Sequence, residues 1–187
     1  MRMRAARLGA AVAAVVVLPA CQSADKAPAP PAAPAGEFAS LTIDLGVIAS
    51  DVERSATFYT EAAGFTEIQG FDASAALTRD AGLTDGKSDV HVRVFTLGEG
   101  PGATRLKLMR FTSSPGAAPD NAYIHSTLGF RYLTIRVKDQ NAVLARLNKA
   151  GVKVLGKGPC PLAGGAWLTC VKDPDGNLVE FVGPKAN

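Results

Sequence analysis

The chain has 187 residues, of which 47% are hydrophobic and 20% are charged, so it has room for one compact domain. Its formal net charge of +3 equals the contribution of three arginines near the N-terminus, Arg2, Arg4 and Arg7. The rest of the chain is therefore neutral. A neutral domain lacks the basic surface with which proteins bind nucleic acids, and we expect no nucleic-acid partner.

The first twenty residues have the pattern of an export signal. A positively charged start is followed by an apolar run that is shorter than the ~20 residues of a membrane-spanning helix. The run ends in Leu18-Pro19-Ala20-Cys21, which resembles the lipobox of bacterial lipoproteins. This resemblance implies that residues 1–20 are a lipoprotein signal peptide, that Cys21 is lipidated, and that the protein is anchored in the cell envelope, at the outer membrane. An ordinary cleaved signal peptide with a coincidental cysteine is the alternative.

Residues 21–38 are rich in proline and alanine and contain hardly any large apolar side chains. Such a segment cannot bury enough surface to offset the entropy lost on ordering, so we expect an extended tether. At ~3.1 Å per residue, about sixteen residues could hold a domain roughly 50 Å from the lipid. The folded domain is then expected over residues 39–187.

Two segments of this domain follow one plan. Residues 41–68 and 131–155 each begin with an apolar strand, reach an aspartate at the start of an amphipathic helix, and continue into a second strand. The two aspartates, Asp51 and Asp139, are 88 residues apart. This internal repeat predicts two modules with the same fold.

Local signals mark the boundaries of the elements in both modules. Ser50 and Glu53 form a capping box at the start of the first helix, and Gly64 and Gly151 suit the left-handed position that ends a helix. The strand-like runs after the helices are Thr66–Phe71, Val90–Leu97 and Thr104–Phe111 in the first module, and Val152–Leu155, Ala166–Lys172 and Leu178–Val182 in the second. The resulting order, βαβββ in each module, predicts an α+β fold.

Two stretches of the sequence carry a family resemblance. SDVERSATFYTEAAGF in the first module and VKDPDGNLVEFVGP in the second are close to the usual sequences of the vicinal-oxygen-chelate superfamily, which includes glyoxalases, bleomycin-resistance proteins and extradiol dioxygenases. The resemblance covers nearly the whole domain, with modules at about 41–111 and 131–183. It implies two βαβββ modules whose curved sheets enclose one cavity.

The resemblance also implies a position for the site. In metal-dependent members four ligands come from four strands, and the matching positions here hold Asp44, Lys107, Tyr132 and Glu180. A lysine ammonium has no lone pair and a neutral phenol binds metals weakly, so only two carboxylates remain as good donors. We therefore expect no metal cofactor, but a small-molecule site in which Lys107 replaces the cation between Asp44 and Glu180. If a divalent metal binds at all, Asp44 and Glu180 would hold it.

Three side chains have two interpretations each. In metal-dependent relatives the position of Glu180 is a ligand and sometimes a proton shuttle, which would make Glu180 catalytic; alternatively it only pairs with Lys107. His91 and Arg93 share one face of the third strand, and the valines that alternate with them form an opposite, apolar face, so both could line the cavity. His91 is then a general base or a hydrogen-bonded surface residue, and Arg93 binds an anionic ligand or is solvated at the rim.

Cys160 and Cys170 remain once Cys21 is lipidated. They are equally far along the chain from Gly165, so a hairpin folded about this glycine would place them opposite each other. In an oxidising compartment this arrangement predicts a disulfide, and two free buried thiols are the alternative. Pro161 could change the register of the hairpin and so separate the two side chains.

Three functions are consistent with these features. The first is a metal-free lipoprotein that binds a small, partly apolar molecule, as the bleomycin-resistance branch of the superfamily does. The second is a divalent-metal-dependent lyase, isomerase or dioxygenase of the glyoxalase type, and the third is a structural envelope lipoprotein that has lost the pocket. The membrane is a partner through the lipid anchor, and the resemblance allows either a monomer or a homodimer.

Overall fold

The computed structural model describes residues 36, 38–40 and 42–186. The predicted signal peptide at residues 1–20, the predicted lipidation site Cys21 and most of the predicted tether lie outside these residues. A single folded unit begins at Ala39 and includes both predicted modules. None of the helices in the described part of the chain is long and apolar enough to cross a membrane.

The first module forms a four-stranded mixed sheet, sheet 1. Its elements are β1 (Asp44–Ile48), helix α1 (Val52–Thr57) with a π-helical continuation (Phe58–Ala63), β2 (Thr66–Ala73), helix α2 (Ala75–Asp80), β3 (Val90–Leu97) and β4 (Thr104–Met109). The strand order is β1-β4-β3-β2. Strand β1 is parallel to β4, and the other neighbours are antiparallel.

The second module repeats this topology as sheet 2. Its elements are β5 (Tyr132–Arg136), helix α3 (Gln140–Lys149), β6 (Cys160–Pro161), β7 (Trp167–Lys172) and β8 (Leu178–Gly183). The strand order is β5-β8-β7-β6, with β5 parallel to β8, so these two strands correspond to β1 and β4 of sheet 1. The predicted α+β fold of two βαβββ modules is therefore confirmed.

One predicted strand of the second module is displaced along the chain. The run Val152–Leu155 forms no strand, and pairing with β7 begins later, at Cys160–Pro161. The Leu155 amide still donates to the Cys170 carbonyl oxygen at 2.8 Å. The chain then turns at Gly156, whose φ of 59° is readily adopted by glycine, and this turn interrupts the edge of the sheet.

The helix starts follow the predicted aspartates rather than the predicted capping box. Asp51 caps α1 because its carboxylate accepts hydrogen bonds from the Glu53 and Arg54 amides, both at 3.1 Å. Ser50 does not act as the cap, since its hydroxyl and its amide both donate to the Asp175 carboxylate. At the start of α3, Asp139 caps the helix in the same way. Two carboxylate caps thus begin the two equivalent helices.

The core lies on the helix-covered faces of the two sheets. A single cluster of buried apolar side chains contains Phe58 and Tyr59 of the first helix, Val143 and Leu147 of α3, Phe95, Leu106 and Leu108 of sheet 1, and Ile135, Val171, Val179 and Phe181 of sheet 2. The helices are joined directly, because Arg146 Nε donates to the Ala62 carbonyl oxygen at 2.8 Å. The two modules therefore pack against each other through their helical sides.

The opposite face of each sheet carries neither of the two main helices and is partly exposed to solvent, and we call these surfaces the open faces. On sheet 1 the valines of β3 are nevertheless buried in a small cluster on this face. On sheet 1, Ile48 is 48% exposed and Phe71 is 48% exposed; on sheet 2, Tyr132 is 57% exposed. The expectation that curved sheets enclose one cavity is therefore not met within a single chain, where the sheets stay unclosed. The reason is that both modules use their helical sides to form the shared core.

Candidate functional site

An ion pair lies at the centre of the open face of sheet 1. Lys107 on β4 is directly opposite Gly46 of β1, and its Nζ lies 2.8 Å from Oδ2 of Asp44. The Lys107 and Asp44 side chains are 30% and 37% exposed. The ammonium also lies 6.0 Å from the centre of the Phe71 ring, within the range of a cation–π contact. A fixed positive charge therefore stands on a partly apolar surface.

A carboxylate occupies the equivalent place on sheet 2. Glu180 on β8 is directly opposite Thr134 of β5, and the Thr134 hydroxyl donates to Oε2 of Glu180 at 2.8 Å. The Cys170 sulfur lies 4.0 Å from Oε1 of Glu180. Burial, and secondarily the charge of Glu180, raise the pKa of the Cys170 thiol, which therefore stays protonated at neutral pH. Tyr132 lies two residues before Thr134 on the same open face.

The structure brings together two of the four residues predicted to form the site. Asp44 and Lys107 are in contact on sheet 1, whereas Tyr132 and Glu180 lie on sheet 2. Among the described residues, no lysine, arginine or histidine nitrogen lies within 4.0 Å of the Glu180 carboxylate. The expected contact between Lys107 and Glu180 is thus not formed within one chain, because the open faces do not meet.

Arg93 does not face the open surface, contrary to our prediction. It is directly opposite Leu108, a fully buried core residue, so its side chain emerges on the helix-covered side of sheet 1. Its guanidinium binds Glu67 at 2.7 Å and Glu53 of α1 at 2.8 Å. The hydrogen bond from Arg93 is the main reason why the pKa of Glu67 is lowered. Arg93 therefore fastens α1 to the sheet.

His91 lies on the same side of β3 as Arg93 and also faces away from the open surface. Its Nδ1 is 2.6 Å from Oδ1 of Asp72, and both side chains are well exposed. The open side of β3 is instead formed by Val90, Val92 and Val94, which cluster with Ala73, Met109 and Phe111. The prediction that His91 and Arg93 line the cavity was therefore wrong. The valines that alternate with them are apolar but lie on the open face, so an apolar row of residues does not by itself identify the side of β3 that faces the core.

Cys160 and Cys170 share the open face of sheet 2 but are not directly opposite each other. Cys160 pairs with Leu168, two residues before Cys170, and both cysteines are free thiols. The difference arises in the turn, where the Leu162 amide donates to the Ala166 carbonyl oxygen at 2.8 Å. This bond centres the hairpin on Gly164 rather than on Gly165, which shifts the register by two residues.

A cavity of about 360 Å³ adjoins the open face of sheet 1 at the ends of β1 and β4. Its walls are formed by Ile48, Arg110, Phe111, residues 115–119 between the two modules, and Asp175 and Asn177 of the β7–β8 turn. The sequence did not predict this cavity, because residues 112–128 between the two modules show no periodic pattern that would indicate where they pack. The hydrogen bonds of Ser50 to Asp175 hold the turn from the second module against the end of β1.

The residues at the site do not fit a divalent metal. Within the part of the chain that the structure describes, no group of three or more His, Cys, Asp or Glu side chains is arranged to hold a metal ion. Asp44 is already paired with an ammonium, and Glu180 is bound by neutral donors. Tight binding of zinc or iron requires several converging lone-pair donors, which this arrangement does not provide.

The family model described as "Glyoxalase/Bleomycin resistance protein/Dioxygenase superfamily" matches residues 38–181, most of the chain. The chain belongs to this superfamily. No curated protein sequence matches it. The superfamily membership agrees with the repeated βαβββ topology and with the resemblance found in the sequence.

Solved structures of superfamily members and of other proteins show the same fold. A glyoxalase family protein from Bacillus cereus is 19% identical with a TM-score of 0.65, and the match covers 81% of this chain and 99% of that one. A glyoxalase I mutant from Zea mays is 17% identical with a TM-score of 0.57, covering 78% of this chain and 45% of that one. An integron cassette protein from V. cholerae is 17% identical with a TM-score of 0.50, covering 77% and 94%. At these identities the likeness establishes the fold alone.

Proposed function

We propose that this protein is a cell-envelope lipoprotein whose superfamily domain binds a small organic molecule without a metal centre. The observation that carries the proposal is the Lys107 ammonium held by Asp44, 2.8 Å away, on the open face where metal-dependent relatives present ligands. An ammonium at this point repels a divalent cation and donates hydrogen bonds to a ligand instead. The site thus favours recognition over Lewis-acid chemistry.

The surroundings of Lys107 supply the other part of a binding surface. Ile48, Phe71 and Met109 lie on the same open face and offer apolar contacts. The adjoining cavity, about 360 Å³ in volume, falls in the lower part of the usual ~300–1,000 Å³ range of ligand sites. A small and partly apolar compound with an acceptor group for Lys107 therefore fits the site best.

The envelope location in this proposal rests on the sequence of residues 1–38. The charged start, the short apolar run and the Cys21 lipobox together support export and lipidation. A chain with Cys21→Ser should lose both labelling by a radioactive fatty acid and partition into the detergent phase. Retention of either property would contradict lipidation at Cys21.

The metal-free character of the site can be tested by creating a metal site. Lys107→Glu would place a second carboxylate beside Asp44, and we expect this variant to gain affinity for Mg²⁺ or Mn²⁺, detected by calorimetry. Lys107→Met, which removes the ammonium without adding a donor, is the matched control and should gain no such affinity. Stoichiometric metal in wild-type protein purified without chelator would overturn the proposal.

Ligand binding can be tested on the same protein by thermal shift. A screen should include small aromatic and anionic compounds with and without divalent metals. A ligand at a hundred times its dissociation constant adds about 2.7 kcal/mol to the free energy of unfolding, which is readily detected. A genuine ligand should lose affinity in Lys107→Met, whereas unchanged affinity in that variant would place the binding site elsewhere.

A further inference from the structure

We infer that a loop between the two modules, residues 121–130, inserts its apolar side chains into the surface of the membrane that anchors the protein. We call this segment the apolar loop. Its sequence, NAYIHSTLGF, includes no aspartate, glutamate, lysine or arginine. The loop would be a second membrane contact beside the lipid predicted at Cys21, so the inference rests on the lipid anchor of the proposed function. None of its residues lines the cavity or belongs to the ion pair at Lys107.

The first observation is that the apolar loop exposes large apolar side chains. Tyr123 is 67% exposed, Ile124 is 54% exposed, Leu128 is 98% exposed and Phe130 is fully exposed. Single exposed apolar residues are common on soluble proteins, and they need no explanation. Four large ones within eight residues of the chain are a concentration that marks a contact surface.

The second observation is that the polar groups of the apolar loop bind one another. Arg131, the residue after the loop, donates to the Asp120 and Ile124 carbonyl oxygens at 3.0 and 3.1 Å. The Tyr123 amide donates to the Ser126 hydroxyl, and the Ser126 amide donates to the Tyr123 carbonyl oxygen, both at 3.1 Å. Internal hydrogen bonds therefore shape the loop, while its apolar side chains are left on the outside.

This arrangement suits a lipid surface. Backbone groups without a hydrogen-bond partner are costly in a bilayer, and the backbone of Tyr123 is already bonded within the loop. The exposed rings of Tyr123 and His125 are stacked with their centres 5.6 Å apart, and rings with a polar tip favour the headgroup region. Leu128 and Phe130 supply the apolar contact with the ends of the acyl chains.

The chain outside the described structure favours the membrane as the occupant of this surface. The predicted tether, which ends at residue 38, is about 50 Å long at ~3.1 Å per residue. A compact domain of about 150 residues is roughly 40 Å across, so an anchored domain can turn any of its faces to the bilayer. The anchor also makes the loop contact intramolecular, at an effective concentration on the order of mM, so that even a weak contact is populated. A partner protein in solution lacks this advantage.

The test places a fluorescent reporter in the apolar loop. The full lipidated chain with Phe130→Trp is reconstituted in vesicles of phosphatidylethanolamine and phosphatidylglycerol, with and without brominated acyl chains. The wild type, whose single tryptophan is Trp167, gives the background. Quenching by bromine should exceed this background about twofold or more, because interfacial side chains lie ~5–10 Å deep, near the bromine atoms. Leu83→Trp, at a position that is 78% exposed outside the loop, is the matched control and should not exceed the background.

A second pair of variants tests whether the apolar side chains drive the insertion. Adding Leu128→Ser to Phe130→Trp should reduce the quenching, whereas adding Leu77→Ser, at another exposed leucine, should leave it unchanged. Far-ultraviolet circular dichroism checks that each variant is folded. No quenching above the background in folded Phe130→Trp would overturn the inference. A blue-shifted emission without quenching by bromine would also overturn it, since the loop would then pack against protein, such as a second copy.

Fatty-acid labelling of the same chain separates this outcome from that of the proposed function. Labelling at Cys21 without quenching would leave the lipid anchor intact and contradict the loop contact. Quenching without labelling, measured after adding the protein to vesicles in excess, would keep the loop contact and remove the lipid anchor. Ligand affinity and metal content should be the same in Leu128→Ser and wild type, because the loop lies outside the site at Lys107.

Discussion

In the proposed function Lys107 and Asp44 serve recognition, since their ion pair adds little to stability. Both side chains are about one-third exposed, and ion pairs of this kind contribute roughly 0–1 kcal/mol to the free energy of unfolding. Lys107 is also surrounded by apolar side chains on the open face, including Phe71. The Lys107 ammonium therefore adds little to stability. Because it lies within an apolar surface, it can serve as a defined hydrogen-bond donor to a ligand or a partner.

Asp173 has the opposite character, since it is buried and holds the two modules together. It is 5% exposed and lies at the start of the β7–β8 turn. Its carboxylate accepts hydrogen bonds from the Asp175 and Asn177 amides, from the Asn177 side chain and from the Tyr59 hydroxyl. Burial, followed by the charge of Asp173, raises the pKa of Tyr59, which keeps this phenol protonated as a donor.

Removing the Asp173 carboxylate should therefore destabilise the protein strongly. We expect Asp173→Ala to lower the free energy of unfolding by about 3 kcal/mol, because several buried donors lose their acceptor. Tyr59→Phe should cost less, about 1 kcal/mol, since it removes a single hydrogen bond. Urea denaturation measures both, with the exposed Asp85→Ala as a control. A cost for Asp173→Ala no greater than that of the control would show that the turn does not depend on this carboxylate.

At the scale of the elements, each main helix begins at an aspartate with the same geometry. Asp51 and Asp139 both have extended backbones and accept hydrogen bonds from the amides of the first helical turn. Hydrogen bonds from backbone amides lower the pKa of both carboxyl groups. For Asp51 the largest cause is the Arg54 amide, and for Asp139 it is the Ala186 amide, which lies outside the helix. Because the folded-state pKa is depressed, the stabilisation is present above the unfolded-state pKa and is lost as the pH falls through the folded-state value.

The caps predict a defined pH dependence. Asp51→Asn and Asp139→Asn keep a capping oxygen but cannot titrate. When the pH is lowered from 5 to about 2, the free energy of unfolding should therefore fall less in the double variant than in the wild type. At pH 7 the variant should be somewhat less stable, because the helix amides favour a negative charge. Urea midpoints across this pH range give the comparison. Parallel pH profiles of the two proteins would show that the caps do not contribute to acid unfolding.

At the scale of the whole molecule, the two modules share one core and leave two open faces. The core cluster includes residues of both sheets and both main helices, so neither module has a complete core of its own. We therefore expect the modules to unfold together in one transition. The open faces lie outside this core and expose apolar side chains, among them Ile48 and Phe71.

Features that depend on neighbours in the chain were predictable from the sequence alone. The alternation of apolar residues predicted β3 at Val90–Leu97, and Gly64 was predicted to end the first helix, where its φ is 88°. The two helix starts at Asp51 and Asp139, and the repeat that relates them, were also visible. Each of these signals works because strand, cap and turn conformations are decided by a few adjacent residues.

Only the tertiary structure decided which side of each sheet is covered. Both sides of β3 carry apolar residues, Val92 on the open face and Phe95 in the core, so the pattern could not show that Arg93 points to α1. The sequence pattern also could not show that Lys107 contacts Asp44 but not Glu180. Alternation places residues on two faces of a strand, but what each face packs against depends on residues far away in the chain.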